Sequence, residues 1–269
     1  LKITKTLTYY VYVNKKVTDQ HLSYLDQELN KIDHIKFNKV LEAKLADYIF
    51  VLGGDGTFIK SLNAHFFNDQ KVVGINFGTL GFYSSYSSIN QLDLVSILND
   101  NNFSSPYVLK ITINNDQVFY ALNECSIVAN ETIAFDLSVD QFCLQTFKGS
   151  GILVSTSSGS TGKNLAFSGP IFNSLKNIYS LVEIGPVNHY YYNSIKAPLL
   201  LDNNKRLKID KIINAKKLLI AIDNRSINDL LFIESIDIEL IKANLLIHQF
   251  DDFKKNIAKI KSAFTKNGS

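Results

Sequence analysis

The 269-residue chain has no methionine and no tryptophan, only two cysteines and four prolines. Its positive charge is almost all lysine; the only arginines are Arg206 and Arg225. Each shortage excludes something. Cys125 and Cys143 match no zinc-ligand spacing and cannot make a disulfide framework. They are expected to be reduced thiols packed in strands, which points to the cytoplasm. No apolar run approaches the roughly 18–20 residues of a membrane helix, and Leu1 to Tyr12 lacks the layout of a signal peptide. Leu1 is expected not to be the translated start, since methionine is missing even there. A net charge of +3 is too small to argue for nucleic acid or an anionic membrane. The five histidines show no ligand spacing, and no Ser/His/Asp arrangement stands out.

What is present is a core-forming composition, 46% hydrophobic and 20% charged, in a chain long enough for one large domain or two ordinary ones. The first third alternates strand and helix signals. Thr6–Val13, Tyr48–Leu52 and Lys71–Asn76 read as strands; Thr18–Leu29, Phe58–Phe67 and Ile89–Leu98 read as helices. That alternation predicts a parallel sheet covered by helices. After Ser104-Ser105-Pro106 strands dominate. Val108–Ile113 and Val118–Leu122 flank an Asn-Asn-Asp turn, and Phe135–Asp140 alternates strictly. Ile195–Leu201, Leu207–Ile213, Leu218–Ile222 and Ile236–Leu240 continue the series. Phe253, Ile257, Ile260 and Phe264 then mark an amphipathic helix, expected to dock on the first domain.

The most informative segment follows the strand at Tyr48: Gly53-Gly54-Asp55-Gly56-Thr57. Glycines around one acid at a strand's carboxyl end let backbone amides approach a phosphate. They also leave the carboxylate in the crevice where open α/β sheets bind nucleotides. Thr57 is expected to cap the helix that follows. A second segment, Ser155 to Gly162, opens from the strand Ile152–Val154 and offers hydroxyls and amides to a polyanion. It contains a decoy. Gly159-Ser160-Thr161-Gly162-Lys163 resembles part of a P-loop, but Ser157 and Asn164 stand where that pattern needs Gly and Ser or Thr. A third segment, Asn123-Glu124, places a carboxamide beside a carboxylate at a strand end, a pair suited to a sugar diol.

In this order the three segments resemble the NAD kinase family, which phosphorylates the 2′-hydroxyl of the adenosine ribose of NAD. Gly74-Ile75-Asn76-Phe77-Gly78-Thr79-Leu80-Gly81-Phe82, Val182-Glu183-Ile184 and Ala197-Pro198-Leu199 extend the resemblance over about residues 48–225. It implies that Asp55 is the general base and that Gly56 contacts the nucleotide. It implies that Asn123 and Glu124 hold ribose hydroxyls and the adenine side, and that Phe82 and Tyr83 lie beside the adenine. Thr161, Gly162, Asn164 and Ala166 fall in the family's dinucleotide-binding stretch. Lys60 and Lys148 match basic positions near phosphates, and Asp223 matches loosely a late-strand aspartate. Two positions depart from the pattern: Ser150 stands where Asp is usual and Lys163 where Tyr is usual. Both belong to the nicotinamide end.

The resemblance therefore implies Mg²⁺-dependent transfer of the terminal phosphate of ATP, or another donor, to NAD. No side-chain metal ligands are singled out. A Rossmann-like α/β domain is expected over 1–105 plus 248–269, and a β-rich dinucleotide-binding domain over 106–247. A homodimer or homotetramer is expected, with no nucleic-acid or membrane partner. Two alternatives use the same residues: a soluble diacylglycerol-type lipid kinase, and an NAD(P)-binding regulator without turnover.

Overall fold

The computed structural model describes residues 5–63, 69–77, 81–99, 102–173, 177–190, 192, 194–227, 232–250 and 253–264. The chain runs through β1 (Lys5–Val13), α1 (Asp19–Asn30), β2 (Ile35–Lys39), β3 (Tyr48–Leu52), α2 (Asp55–Asn63), β4 (Gln70–Ile75), α3 (Leu94–Asn99) and β5 (Phe103–Ser104). It continues through β6 (Tyr107–Ile113), β7 (Gln117–Ala121), β8 (Glu124–Val139), β9 (Phe142–Thr156), α4 (Lys163–Ala166), β10 (Ile178–Ile184) and β11 (Leu199–Asp202). Then come β12 (Arg206–Ile213), β13 (Leu219–Ile222), β14 (Arg225–Ile227), β15 (Ile236–Lys242), β16 (Leu245–His248) and α5 (Phe253–Phe264). Two compact units result, Leu1–Pro106 with Ala243–Ser269, and Tyr107–Lys242.

The first unit is an α/β layer structure. Its sheet has the order β2-β1-β3-β4-β16-β5, parallel throughout except for β5. All five residues of β3 are buried, as a strand covered on both faces requires. The core gathers Leu25 and Leu29 from α1, Phe50 and Leu52 from β3, Val73 from β4 and Ile97 from α3. Helix α1 starts on a capping box, in which Thr18 N donates to His21 Nδ1 at 3.1 Å. The sheet is completed by β16, so the tail of the chain closes a layer begun by its head.

The second unit is β-rich. Its main sheet runs β11-β10-β9-β8-β12-β15-β6-β7, antiparallel at every pairing, with β13 also on β8. The β6–β7 hairpin turns through Asn114 and Asn115, both with positive φ, so the sequence's Asn-Asn-Asp supplied the residues this turn tolerates. A long ribbon, β8 with β9, carries the core residues Phe135 and Phe147, stacked at 4.9 Å. The ribbon's register jumps between Val128 and Ile133. Opposite the jump, Gly151 has φ +147° and lies so close to β8 that a Cβ would sit 2.1 Å from the Ile127 carbonyl.

Several expectations need correction. The stretch 89–98 is not one helix: Ile89–Gln91 is a 3₁₀ turn and α3 begins at Leu94, because Asp93 Oδ1 accepts from Ser96 N at 3.0 Å and starts a new helix. Val95, expected on the buried side, is exposed. Strand β11 covers only Leu199–Asp202 of the expected 195–201, and Lys196 has positive φ. Strand β2 was not anticipated, since Ile35–Lys39 has a lone apolar pair, Ile35 and Phe37, among polar residues. Cys125 is buried, which pushes its thiol up to about 12, but Cys143 is exposed. The end of the expected helix 58–67 lies partly outside the described residues.

Gly151→Ala is expected to destabilise the protein by at least about 2 kcal/mol, combining positive-φ strain with the collision at Ile127. Urea unfolding checks it.

Candidate active site

In the first unit, β3 ends at Leu52 and the chain turns through Gly53 and Gly54. Gly53 N donates to Ile75 O at 2.9 Å, and Phe77 N donates to Gly53 O at 3.3 Å, stitching the turn to the end of β4. Gly53 must be glycine, since a Cβ there would lie 2.6 Å from the Cβ of Thr57. Gly54 O accepts from Thr57 N and Phe58 N, which opens α2 with Asp55 as its first residue. Thr57 is thus inside the helix and does not cap it, contrary to expectation; Gly54 occupies the capping place. A Cβ at Gly54 or Gly56 would meet nothing within 4 Å, so the backbone on either side of Asp55 is open.

The Asp55 carboxylate is gripped from the segment after β4. Its Oδ2 accepts from Phe82 N at 2.9 Å and its Oδ1 from Tyr83 N at 3.1 Å. Burial lifts its pKa above the ordinary aspartate value; the two amide bonds and the charge of Lys259 oppose that lift. Each carboxylate oxygen keeps acceptor capacity beyond its amide bond. Tyr83 contributes its amide. Its ring is buried, stacked on Phe58 at 5.3 Å and on Phe250 at 5.9 Å, so it is not a surface for adenine. Phe82 is half-buried and Lys60 lies exposed on α2. Gly78, Thr79 and Leu80 lie outside the described residues.

In the second unit the residues converge on the turn from β7 into β8. Asp223, expected only as a loose match, organises it. Its Oδ2 accepts from Leu122 N at 2.8 Å, and its Oδ1 from Asn123 N at 2.8 Å and Glu124 N at 3.2 Å. Its own N–H donates to Glu124 O at 3.0 Å. Asp223 and Asn224 both have positive φ, forming the tight connection from β13 to β14. Three amides on one carboxylate fix where the Asn123 and Glu124 side chains start.

The hydroxyl-rich loop packs on the same turn. Thr156 Oγ1 donates to Leu122 O at 2.6 Å, and Ser158 Oγ donates to the same carbonyl at 3.0 Å. A Cβ at Gly159 would stand 2.3 Å from Asn123 O. These hydroxyls therefore staple the loop to the Asn-Glu turn; they are not held out for a polyanion, as was expected. Ser158–Thr161 is a 3₁₀ turn and Lys163–Ala166 the short α4. Asn164 is also a correction. It is fully buried; its Nδ2 donates to Pro170 O at 2.9 Å and its Oδ1 accepts from Ser180 Oγ at 2.9 Å. It shapes the loop from inside, with its carboxamide engaged in bonds within the protein.

Glu124 is different. It is buried, and its Oε2 has no hydrogen-bond partner. Burial first, then the charge of Asp223, push its pKa up to about 7, with Lys163 pulling down. A Cβ on the exposed Gly162 would stand 3.6 Å from that Oε2 and 3.9 Å from Asn123 Nδ2, so both side chains end beside this glycine. Lys163 Nζ donates to Ser126 Oγ at 3.0 Å on the same side. An unpartnered carboxyl oxygen beside a carboxamide and a glycine suits hydroxyl donors from a ligand. Thr161 is half-buried and Ala166 exposed. Ser150 and Lys148 lie further along β9: Ser150 N donates to Gly185 O at 3.3 Å, and Lys148 Nζ sits 4.8 Å over the Tyr192 ring. Among the described residues no three His, Cys, Asp or Glu side chains group as a metal site, and no helix is long and apolar enough to cross a membrane.

Sequence reasoning missed the Lys259 contact, the Thr156–Ser158 staple and the role of Ser126. Only the hydroxyl density of 155–161 signalled any of them.

A parallel sheet ending in a glycine-flanked carboxylate fits the class of nucleotide-using phosphotransferases. Comparison with known proteins narrows it. Residues 2–99 match the family model described as ATP-NAD kinase N-terminal domain. The chain is 41% identical over 246 residues to the NAD kinase of Ureaplasma parvum, covering 91% of this chain and 90% of that one. It is 32% identical over 204 residues to the NAD kinase of Mycoplasmoides gallisepticum, covering 76% and 73%. In fold it resembles yeast NADH kinase complexed with NADH, with a TM-score of 0.76 at 15% identity over 98% of this chain and 89% of that one. It also resembles an NAD kinase from Archaeoglobus fulgidus in complex with ATP, with a TM-score of 0.74 at 18% identity over 96% and 99%. At those identities the two structures speak for the fold alone. The chain belongs to the NAD kinase family, and it is accordingly an enzyme, a phosphotransferase.

Glu124 makes a prediction about stability. Its folded pKa lies above the unfolded value, so the folded state holds a proton that the unfolded state has lost over about pH 4.5–7. Stability therefore falls as pH rises through that window. Glu124→Gln, which does not titrate, is expected to gain on the natural chain from pH 5 to pH 8 by about 2 kcal/mol. Thermal unfolding across pH checks it; parallel curves would refute the assignment.

Proposed function

We propose that this chain transfers the terminal phosphate of ATP to the 2′-hydroxyl of the adenosine ribose of NAD, with Asp55 as general base. The observation that carries this is the Asp55 carboxylate: fixed by two amides, raised in basicity by burial, and bordered by open backbone at Gly54 and Gly56. The 2′-oxygen attacks the terminal phosphorus, its proton passes to an Asp55 oxygen, and the bond to the ADP oxygen breaks. A fixed, desolvated carboxylate suits that task, because phosphoryl transfer depends on positioning and electrostatics.

Asn123 and Glu124 take ribose hydroxyls in this reading. Support comes from the unpartnered Glu124 oxygen and from the clamp that Asp223 places on their backbone. Gly162 lets the sugar approach, Lys163 and Thr161 flank it, and Ser150 belongs with the nicotinamide end. The amides around Gly56 meet phosphate, and Lys60 and Lys148 are candidates for phosphate charge. Phe82 is left as the one aromatic of its pair with a ring for the adenine. Asn164 and Ala166 act by shaping the loop. A Mg²⁺ ion entering with the phosphate donor would neutralise charge on the transferring group. The α/β unit thus acts as the nucleotide-binding domain and the β-rich unit as the dinucleotide-binding domain. We place the enzyme in the cytoplasm as a homodimer or homotetramer.

Asp55→Asn keeps shape and removes basicity. It is expected to bind NAD with little change and to lose about 10²–10⁴-fold in kcat. NADP formation and calorimetric NAD binding, measured on one preparation, check this. Near-normal turnover would remove Asp55 from the role.

A further inference from the structure

We infer that the C-terminal helix belongs to the catalytic apparatus, with Lys259 as a positioning residue whose ammonium holds the Phe82–Ser84 segment so that its amides fix the Asp55 carboxylate. This deepens the proposed function and rests on Asp55 being the base.

Lys259 projects from α5 and donates to Phe82 O at 2.6 Å and to Ser84 O at 3.4 Å. The amides on either side of the first of these carbonyls, Phe82 N and Tyr83 N, are the two that grip Asp55. The cation and the carboxylate thus hold the Phe82–Tyr83 peptide unit from opposite ends, the carbonyl bonded to Lys259 and the amide to Asp55. A charge-assisted bond is about twice as strong as a neutral one, and bonding at the carbonyl polarises the neighbouring amide toward its own acceptor.

The rest of the C-terminal return grips the same segment. Ser85 Oγ donates to His248 O at 2.7 Å, and the Tyr83 ring stacks on Phe250. On its other flank Ser85 N donates to Gly74 O at 2.9 Å, and a Cβ at Gly74 would stand 2.9 Å from Tyr83 O. The segment that orients the base is therefore clamped between β4 and the end of the chain, more than 160 residues away in sequence.

The charge matters separately from the bonds. Lys259 opposes the effect of burial on Asp55. Among the described residues, the other charged or titratable groups on the elements packed around Asp55 include Lys60 on α2, exposed, Lys71 at the opposite end of β4, held over the Tyr48 and Phe103 rings, His248 at the end of β16, stacked on Tyr86, and Lys254 and Lys261 on α5, both exposed. Lys259 is the charge that acts on the carboxylate. Removing it raises the Asp55 pKa, so a larger share of the base is protonated at a given pH.

The test compares Lys259→Met, Lys259→Gln and Lys259→Arg with Lys254→Met, which removes an exposed lysine of the same helix. NAD-dependent NADP formation is followed from pH 5 to pH 9, with circular dichroism melting on each variant. Lys259→Met is expected to lose about tenfold in kcat with the KM for NAD nearly unchanged, as a small misplacement of a reacting group does. Its acidic limb should move to higher pH. Lys259→Gln keeps a donor without charge; it should fold normally, retain more activity than Met, and still show the displaced limb. Lys259→Arg and Lys254→Met should follow the natural profile. If the Met variant does not fold, the Gln profile alone decides. Wild-type kcat and an unmoved acidic limb in Lys259→Gln would overturn the inference. If Asp55→Asn is inactive while the Lys259 variants behave normally, the positioning role fails and the base assignment stands. An active Asp55→Asn defeats the base assignment itself.

Discussion

The structure turns on carboxylates held by backbone amides. Asp55 receives two, from Phe82 and Tyr83, and that grip ties together the end of β3, the segment after β4 and the C-terminal helix. An aspartate in the first turn of a helix is an ordinary arrangement, favoured by the helix dipole. What sets Asp55 apart is that partners outside its helix fix both of its oxygens while burial raises its basicity. Gly74 and the Tyr83 stack allow the segment after β4 to come close, and Gly53 leaves room for Thr57 in the turn that opens α2.

The β-rich unit repeats the device with the opposite outcome. Asp223 receives three amides and is consumed by them, a clamp and not a reagent. The carboxylate left over is Glu124, buried with one oxygen unpartnered and raised toward neutrality. Leaving a buried oxygen without a hydrogen bond costs stability of order 1–3 kcal/mol. A hydroxyl donor brought to that oxygen by a ligand would recover the energy, which is the physical ground for assigning Glu124 to a ribose in the proposed function.

Much of this was legible in the sequence. The all-apolar run of β3, the glycines around Asp55 and the Asn-Asn-Asp hairpin turn each dictate local geometry, and they placed the sheet, the turn that carries Asp55 and the second unit's first hairpin. The errors share a cause. Thr57 has a capping side chain, but the glycine three residues earlier already occupied the cap. The hydroxyls of 155–160 and the Asn164 carboxamide are polar groups in a ligand-binding stretch, and sequence alone cannot tell a group facing the ligand from one that ties the loop together. Asp223 was underrated because its partners are about 100 residues away. Lys259 reads as one of several lysines on an amphipathic helix, and only the fold shows which of them points inward. Long-range hydrogen bonds to backbone leave no periodicity behind, so the clamps were the part that sequence pattern could not supply.

The most direct test of the central claim is a crystal structure of the enzyme with NAD bound, read at a single distance. The 2′-oxygen of the adenosine ribose is expected within about 2.6–3.2 Å of an Asp55 carboxylate oxygen, with the Phe82 and Tyr83 amides still on that carboxylate. A ribose bound in an active crystal form with that oxygen turned away from Asp55 would contradict it.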